Sequence, residues 1–125
     1  MIALAVAGFY DGKLAHSSPI LNVAAPTRAE AGKPVEITVS AQNWGVAIPA
    51  GQLNLEIRAA PFGPDNHVNQ QSSAVANWPS GRTVSRTFSW TPPAPGEYRL
   101  YIGAFNKDWS VMHAWKNGAA TIEIH

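Results

Sequence analysis

The sequence predicts an all-β domain, an antiparallel two-sheet sandwich of about seven to eight strands, and three observations carry that expectation. Ten prolines and ten glycines fall mostly between short runs in which apolar and polar residues alternate. A period of two places every second side chain on one face, as a strand with one dry and one wet side requires. No window holds a sustained apolar stripe at helical spacing with capping residues at its ends, so a helical or α/β architecture has no support.

Taken in order, residues 1–19 read as an N-terminal extension, an added strand and loop, within a single domain spanning 1–125. Val35, Ile37, Val39 and Ala41 alternate with Glu36, Thr38, Ser40 and Gln42 to form the first clear strand. Leu53, Leu55 and Ile57 alternate in the same way with Asn54, Glu56 and Arg58. Residues 59–80 are polar and read as a long crossover with one short strand. Val84, Phe88 and Trp90 share a face opposite Thr83, Ser85, Thr87 and Ser89. Arg86 interrupts the apolar side and so belongs near an edge, where its stem can snorkel. Tyr98, Leu100, Ile102 and Ala104 make the next inward row, and Ile122 and Ile124 belong to a last strand. The turn signals between these runs are Ala31–Pro34, Ile48–Gly51, Trp78–Gly81 and Thr91–Gly96.

Composition narrows the function. With 125 residues, 46% of them hydrophobic, the chain can bury one core without crosslinks. Nine basic and eight acidic residues leave a formal charge of +1 without a cluster of either sign, which argues against nucleic acid and against an anionic membrane surface. No apolar run approaches the ~20 residues of a spanning helix. Met1–Ala7 is apolar but lacks a basic flank and a small-residue cleavage site, so it does not read as a signal peptide, and the chain reads as an excised or mature module. The absence of cysteine excludes a disulfide framework and thiolate chemistry but not export. Only 14% of residues are charged, so the surface is dressed with neutral hydroxyls and amides, as suits a ligand that offers hydroxyls.

Three stretches together resemble immunoglobulin-like and fibronectin-type sandwiches of bacteria. Ala31-Gly32-Lys33-Pro34-Val35 with the later Asn43-Trp44-Gly45 is similar to their first turn and strand. Phe88-Ser89-Trp90-Thr91-Pro92-Pro93 with Gly96-Glu97-Tyr98 is similar to their corner in which a tyrosine packs back on the connection. Gly103–Ser110, Trp115-Lys116-Asn117 and Ala119–Ile122 resemble the C-terminal end of accessory and carbohydrate-binding modules attached to bacterial glycoside hydrolases. The resemblance covers about residues 20–125. It implies an immunoglobulin-like fold and a non-catalytic, secreted module, extracellular or periplasmic, that holds a polysaccharide or props up a catalytic domain.

Of the five tryptophans, Trp90 continues an inward row and is assigned to the core. Trp109 and Trp115 lie in the segment 106–118 between the last two strands, read as a loop among Asn106, Lys107, Asp108, Ser110 and Asn117. With Phe105 and Tyr101, which should face away from the row of Tyr98 and Leu100, they form a candidate aromatic platform. Trp78, beside a turn, is a further candidate, and Trp44 shares that position. A pyranose ring has an apolar C–H face that stacks on an aromatic ring, while Asp108, Asn106 and Asn117 would take its hydroxyls. The alternative is an aromatic-rich hairpin that plugs the sandwich or docks on a neighbouring domain, in a structural or protein-interaction module.

Catalysis has little to stand on. The loop carboxylates Asp11, Asp65 and Asp108 sit in no motif, although a glycosidase needs two across a cleft. His16, His67, His113 and His125 lack ligand spacing. No cofactor is expected. A structural calcium on Asp65, Asn66 and Asn69, or on Asn106 and Asp108, competes with plain turn formation by the same residues.

Overall fold

The computed structural model describes residues 19–125. The expected N-terminal strand and loop, with Asp11 and His16, therefore lie outside the described residues except for Pro19. Eight strands follow one another: β1 (Pro19–Ala24), β2 (Arg28–Ala29), β3 (Val35–Asn43), β4 (Ile48–Ala59), β5 (His67–Trp78), β6 (Thr83–Trp90), β7 (Gly96–Asn106) and β8 (Met112–Ile124). A 3-10 turn, Pro64–Asn66, precedes β5. The strands make two sheets, one ordered β1-β3-β6 and the other β2-β8-β7-β4-β5. All pairings are antiparallel except the short β2, which runs parallel to β8.

The inward rows are those that alternation predicts. Ile37, Val39, Leu53, Leu55, Ile57, Leu100, Ile102 and Ile122 have no exposed surface and interdigitate between the sheets. Trp90 packs edge-on against Tyr98, with ring centroids 5.0 Å apart. The tyrosine hydroxyl donates to the Ala94 carbonyl at 2.7 Å, closing the corner that the Pro-rich turn opens. Tyr98→Phe is expected to cost about 1 kcal/mol by urea unfolding, the value of one partly buried hydrogen bond. An unchanged midpoint would show that the ring alone holds the corner.

Arg86 meets the edge expectation. It lies on β6, the margin of its sheet, and reaches across to β5 of the other sheet, donating to Ser73 Oγ at 3.0 Å and the Ala74 carbonyl at 3.1 Å. Gln71 closes the same seam by donating to the Ser89 carbonyl at 2.9 Å. Paired side chains in this way cover two strand edges that would otherwise present open ladders.

Three expectations are corrected, the first being the turn at Ile48–Gly51, which is the start of β4, the connection lying at 44–47. Residues 59–80 are not mainly a crossover, because His67–Trp78 form a full edge strand along β4. Its polar sequence reflects position: only Val75 and Trp78 of that strand are buried, so the apolar rhythm that marks inner strands is missing. Residues 106–118 are not one loop either. β7 runs to Asn106 and β8 begins at Met112, which puts Trp115 and Asn117 on a strand and leaves a tight turn bearing Trp109.

Candidate functional site

The outer face of the five-stranded sheet is built from the odd-numbered residues of β7. While Tyr98, Leu100 and Ile102 point inward, Arg99, Tyr101, Gly103 and Phe105 point out. Across β4 they are paired with Arg58, Glu56, Asn54 and Gln52. Across β8, Arg99 faces Thr121 and Gly103 faces Trp115. Directly paired residues project from the same side of a sheet, so all of these share one surface.

Between those two β8 contacts the register slips: Leu100 pairs with Ala120, but Ile102 pairs with Lys116. The extra residues form a bulge around Gly118, whose φ of 55° favours glycine. The bulge restores outward orientation to both Trp115 and Thr121 and leaves Asn117 raised between them.

Gly103 is the floor under Trp115. A Cβ there would lie 2.8 Å from Trp115 Cε3 and 2.9 Å from Phe105 Cε1, so the missing side chain is what lets the rings settle on the sheet. Tyr101 and Trp115 stack with centroids 6.3 Å apart and planes 24° apart. Phe105 meets Trp115 at 6.4 Å and Trp109 at 4.9 Å. At the other end the Arg58 guanidinium covers the Tyr101 ring at 3.9 Å, and Arg99 covers Phe62 at 4.0 Å. Aromatic rings and guanidinium planes thus form a continuous band across β4, β7 and β8.

Polar groups line the band. Asn54 is buried and accepts from Gln70 Nε2 at 3.1 Å. The Trp115 indole N–H donates to Asn117 Oδ1 at 2.7 Å, which fixes the ring and turns the Asn117 amide nitrogen outward. In the turn, Asp108 Oδ1 accepts from the Ser110 hydroxyl at 2.7 Å and from its backbone N–H at 3.2 Å. These bonds, led by the hydroxyl, hold the Asp108 carboxyl below its usual range. Asn106 closes the turn by donating to Ser110 Oγ and accepting from the Val111 N–H. Trp109 stands at its tip with a φ of 67°. Beside the turn, His113 is held below the ordinary histidine value by burial, and its Nε2 is buried without a hydrogen-bond partner.

Five of the residues singled out by sequence lie together: Trp109, Trp115, Phe105, Tyr101 and Asn117. Trp109 keeps 42% of its surface, and Trp115 and Phe105 are half-buried, whereas Tyr101 keeps 6% because Arg58 and Trp115 cover it. Tyr101 is therefore a support for the band more than an open ring. Asp108 and Asn106 serve first as the frame of the turn. Trp78 does not belong to the face: it has no exposed surface and donates its indole N–H to the Arg82 carbonyl at 2.9 Å, inside the core. Trp44 is exposed on the β3–β4 turn. Sequence reading overlooked Arg58, Arg99, Phe62 and Gly103. The alternation on β7 already put Arg99 and Gly103 on the face of Tyr101 and Phe105, but Arg58 and Phe62 required the tertiary structure.

No family model and no curated protein matches the chain. Solved structures do. The CARDB domain of a Pyrococcus furiosus protein, solved in complex with two metal ions, superposes with a TM-score of 0.62 over 88% of this chain and 94% of its own at 16% identity. The PKD domain of an M14-like peptidase from a Thermoplasmatales archaeon gives 0.51 over 86% and 97% at 18% identity. The fold is immunoglobulin-like. A Listeria innocua β-glucosidase carries the same architecture, with a TM-score of 0.55 and 13% identity over 86% of this chain, within 16% of the enzyme. At such identities the shared property of these immunoglobulin-like domains is the sandwich itself.

Proposed function

We propose that this immunoglobulin-like domain is a non-catalytic carbohydrate-binding module, with a polysaccharide lying along the outer face of the five-stranded sheet. The observation that carries the reading is the aromatic band itself. Trp115 on the sheet and Trp109 on the adjoining turn keep exposed ring surface, and Asn117 beside Trp115 and Gln52 across from Phe105 are hydrogen-bonding groups for hydroxyls. C–H faces of sugars stack on such rings, and the rigid sheet holds the rings in place before ligand arrives. Affinity is modest, since an exposed face buries little of the ligand and must order a flexible chain. A place on a secreted glycoside hydrolase, extracellular or periplasmic, accords with a β-glucosidase that carries the same fold as a small part of its length.

Affinity electrophoresis against soluble β-glucan, xylan, mannan and chitosan tests this. At least one polymer should retard the wild type, and Trp115→Ala, still folded by circular dichroism, should lose roughly tenfold or more of that affinity. Migration unchanged by every polymer would overturn the reading. A second reading would then lead, a structural module docking on a catalytic domain or on itself, because Trp44, Val46, Val111 and Met112 are all exposed on or beside two of the turns.

A further inference from the structure

We propose that Arg99 and its neighbours form a subsite for an anionic sugar substituent, the carboxylate of a uronic acid residue or a sulfate ester, on a polysaccharide lying along the aromatic band. The proposal rests on the glycan-binding reading above and names the charge class of its ligand.

Beyond Tyr101 the band opens into a recess of about 440 Å³ lined by Arg58, Arg99, Tyr101, Asn117, Gly118 and Thr121. What distinguishes it is which hydrogen-bonding groups are already taken. The one carboxylate paired across from Tyr101, Glu56, is bound to Arg58 Nε at 2.6 Å, so its charge is neutralised within the sheet. Asn117 Oδ1 is occupied by the Trp115 indole N–H, which leaves its amide nitrogen as the free group. Tyr101 directs its hydroxyl at the Phe62 carbonyl. Arg99 has neither ion pair nor side-chain hydrogen bond among the described residues, yet its guanidinium is held in place over the Phe62 ring at 4.0 Å. The free groups facing the recess are therefore the Arg99 fork and the Asn117 amide nitrogen, both donors only, with the Thr121 hydroxyl, which can donate, on the strand opposite.

A donor-rich recess with an unpaired, pre-positioned guanidinium is matched to a planar or tetrahedral oxyanion. Neutral hydroxyls can accept from the guanidinium, but only an oxyanion also compensates its charge and makes the stronger, charge-assisted bonds. Glu97, exposed and two residues away on the same face, lies on the far side of Arg99 from Tyr101, so its charge disfavours an anion on that side and leaves the Tyr101 and Asn117 side. The distance from this recess to the stacking rings is short, because Tyr101 both lines the recess and stacks on Trp115. A single chain can therefore place one residue over Trp115 and the acidic group of a neighbouring residue on Arg99.

The test measures binding of three polymers by titration calorimetry at several salt concentrations: polygalacturonate, dextran sulfate and neutral galactan. The wild type should bind at least one acidic polymer roughly tenfold more tightly than the neutral one, with the preference shrinking as salt rises. Arg99→Gln should collapse the preference to near unity, and Arg99→Lys, which keeps charge without the fork, should restore part of it. Which acidic polymer is preferred tells carboxylate from sulfate. Equal affinity for acidic and neutral polymers, lost in Trp115→Ala, would overturn the subsite while leaving the glycan-binding reading intact. A preference that survives in Arg99→Gln would place the charge recognition elsewhere and also overturn it. Binding of none of these three polymers would overturn the subsite, while the glycan-binding reading would stand or fall on the β-glucan, xylan, mannan and chitosan panel.

Discussion

Replacing Trp78 with alanine should remove about 3–5 kcal/mol of folding stability, the range for truncating a fully buried large aromatic. Trp78 ends β5, pairs with Ile48 across β4 and has no exposed surface. Its ring packs near Gly51, with Cε3 3.7 Å from the position a Cβ would take there. It is also joined to the turns at that end of the sandwich. The indole N–H donates to the Arg82 carbonyl, and the Trp78 carbonyl accepts from the buried Asn43 amide, which also holds the Val46 carbonyl at 2.9 Å and the Gly45 N–H at 2.8 Å. Against a total of about 5–15 kcal/mol for an ordinary domain, the loss is a large fraction. Urea unfolding should show a lower midpoint with an unchanged slope. Trp78→Phe, which keeps most of the packing and loses the N–H bond, should cost far less. A loss under about 1 kcal/mol for the alanine variant would mean that the neighbouring turns collapse into the space, and would contradict the core packing assigned to this ring.

Gly103→Ala is expected to abolish the candidate site while leaving the sandwich folded. The added Cβ would come within 2.8 Å of Trp115 and 2.9 Å of Phe105, closer than real contacts allow, so both rings must lift or turn. Overpacking of that kind costs about 1–3 kcal/mol, and here it falls on the outer face, with the core left alone. Two readouts should move together: the near-ultraviolet dichroism of the aromatic cluster and the retention by whichever polysaccharide binds the wild type. Retention should fall at least as far as in Trp115→Ala, roughly tenfold or more, because Trp115, Phe105 and the Tyr101 stack are disturbed at once. Full retention with an altered aromatic spectrum would show that the band is not where the ligand lies.

The core was legible because burial leaves a periodic trace. Val35, Ile37 and Val39, then Leu53, Leu55 and Ile57, then Tyr98, Leu100 and Ile102 announce their strands by alternation, and all nine are buried. The same rule put Tyr101 and Phe105 on the opposite face, and the Pro-rich turn before Tyr98 marked the corner that its hydroxyl closes. Strand β5 left no such trace. As an edge strand it is wet on most of its positions, so Val68–Ala76 carry polar and small residues that look like a loop.

Tryptophan placement divides along the same line. A turn-flanking tryptophan can point out, as Trp44 does, or in, as Trp78 does, and local sequence is alike in the two cases. Only the packing of one sheet on the other settles which side is dry.

By itself, then, the amino-acid sequence determined the class of fold, the inward rows and the outward side of Tyr101 and Phe105, since each follows from a local period of two. Tertiary structure alone decided the site's composition. Arg58 and Arg99 reach Tyr101 and Phe62 through the β4–β7 register, and Trp115 lies on Gly103 through the β7–β8 register after the bulge at Gly118. Register is a long-range property: it depends on which strands meet and at what offset, and no window of the chain shorter than the fold contains that information.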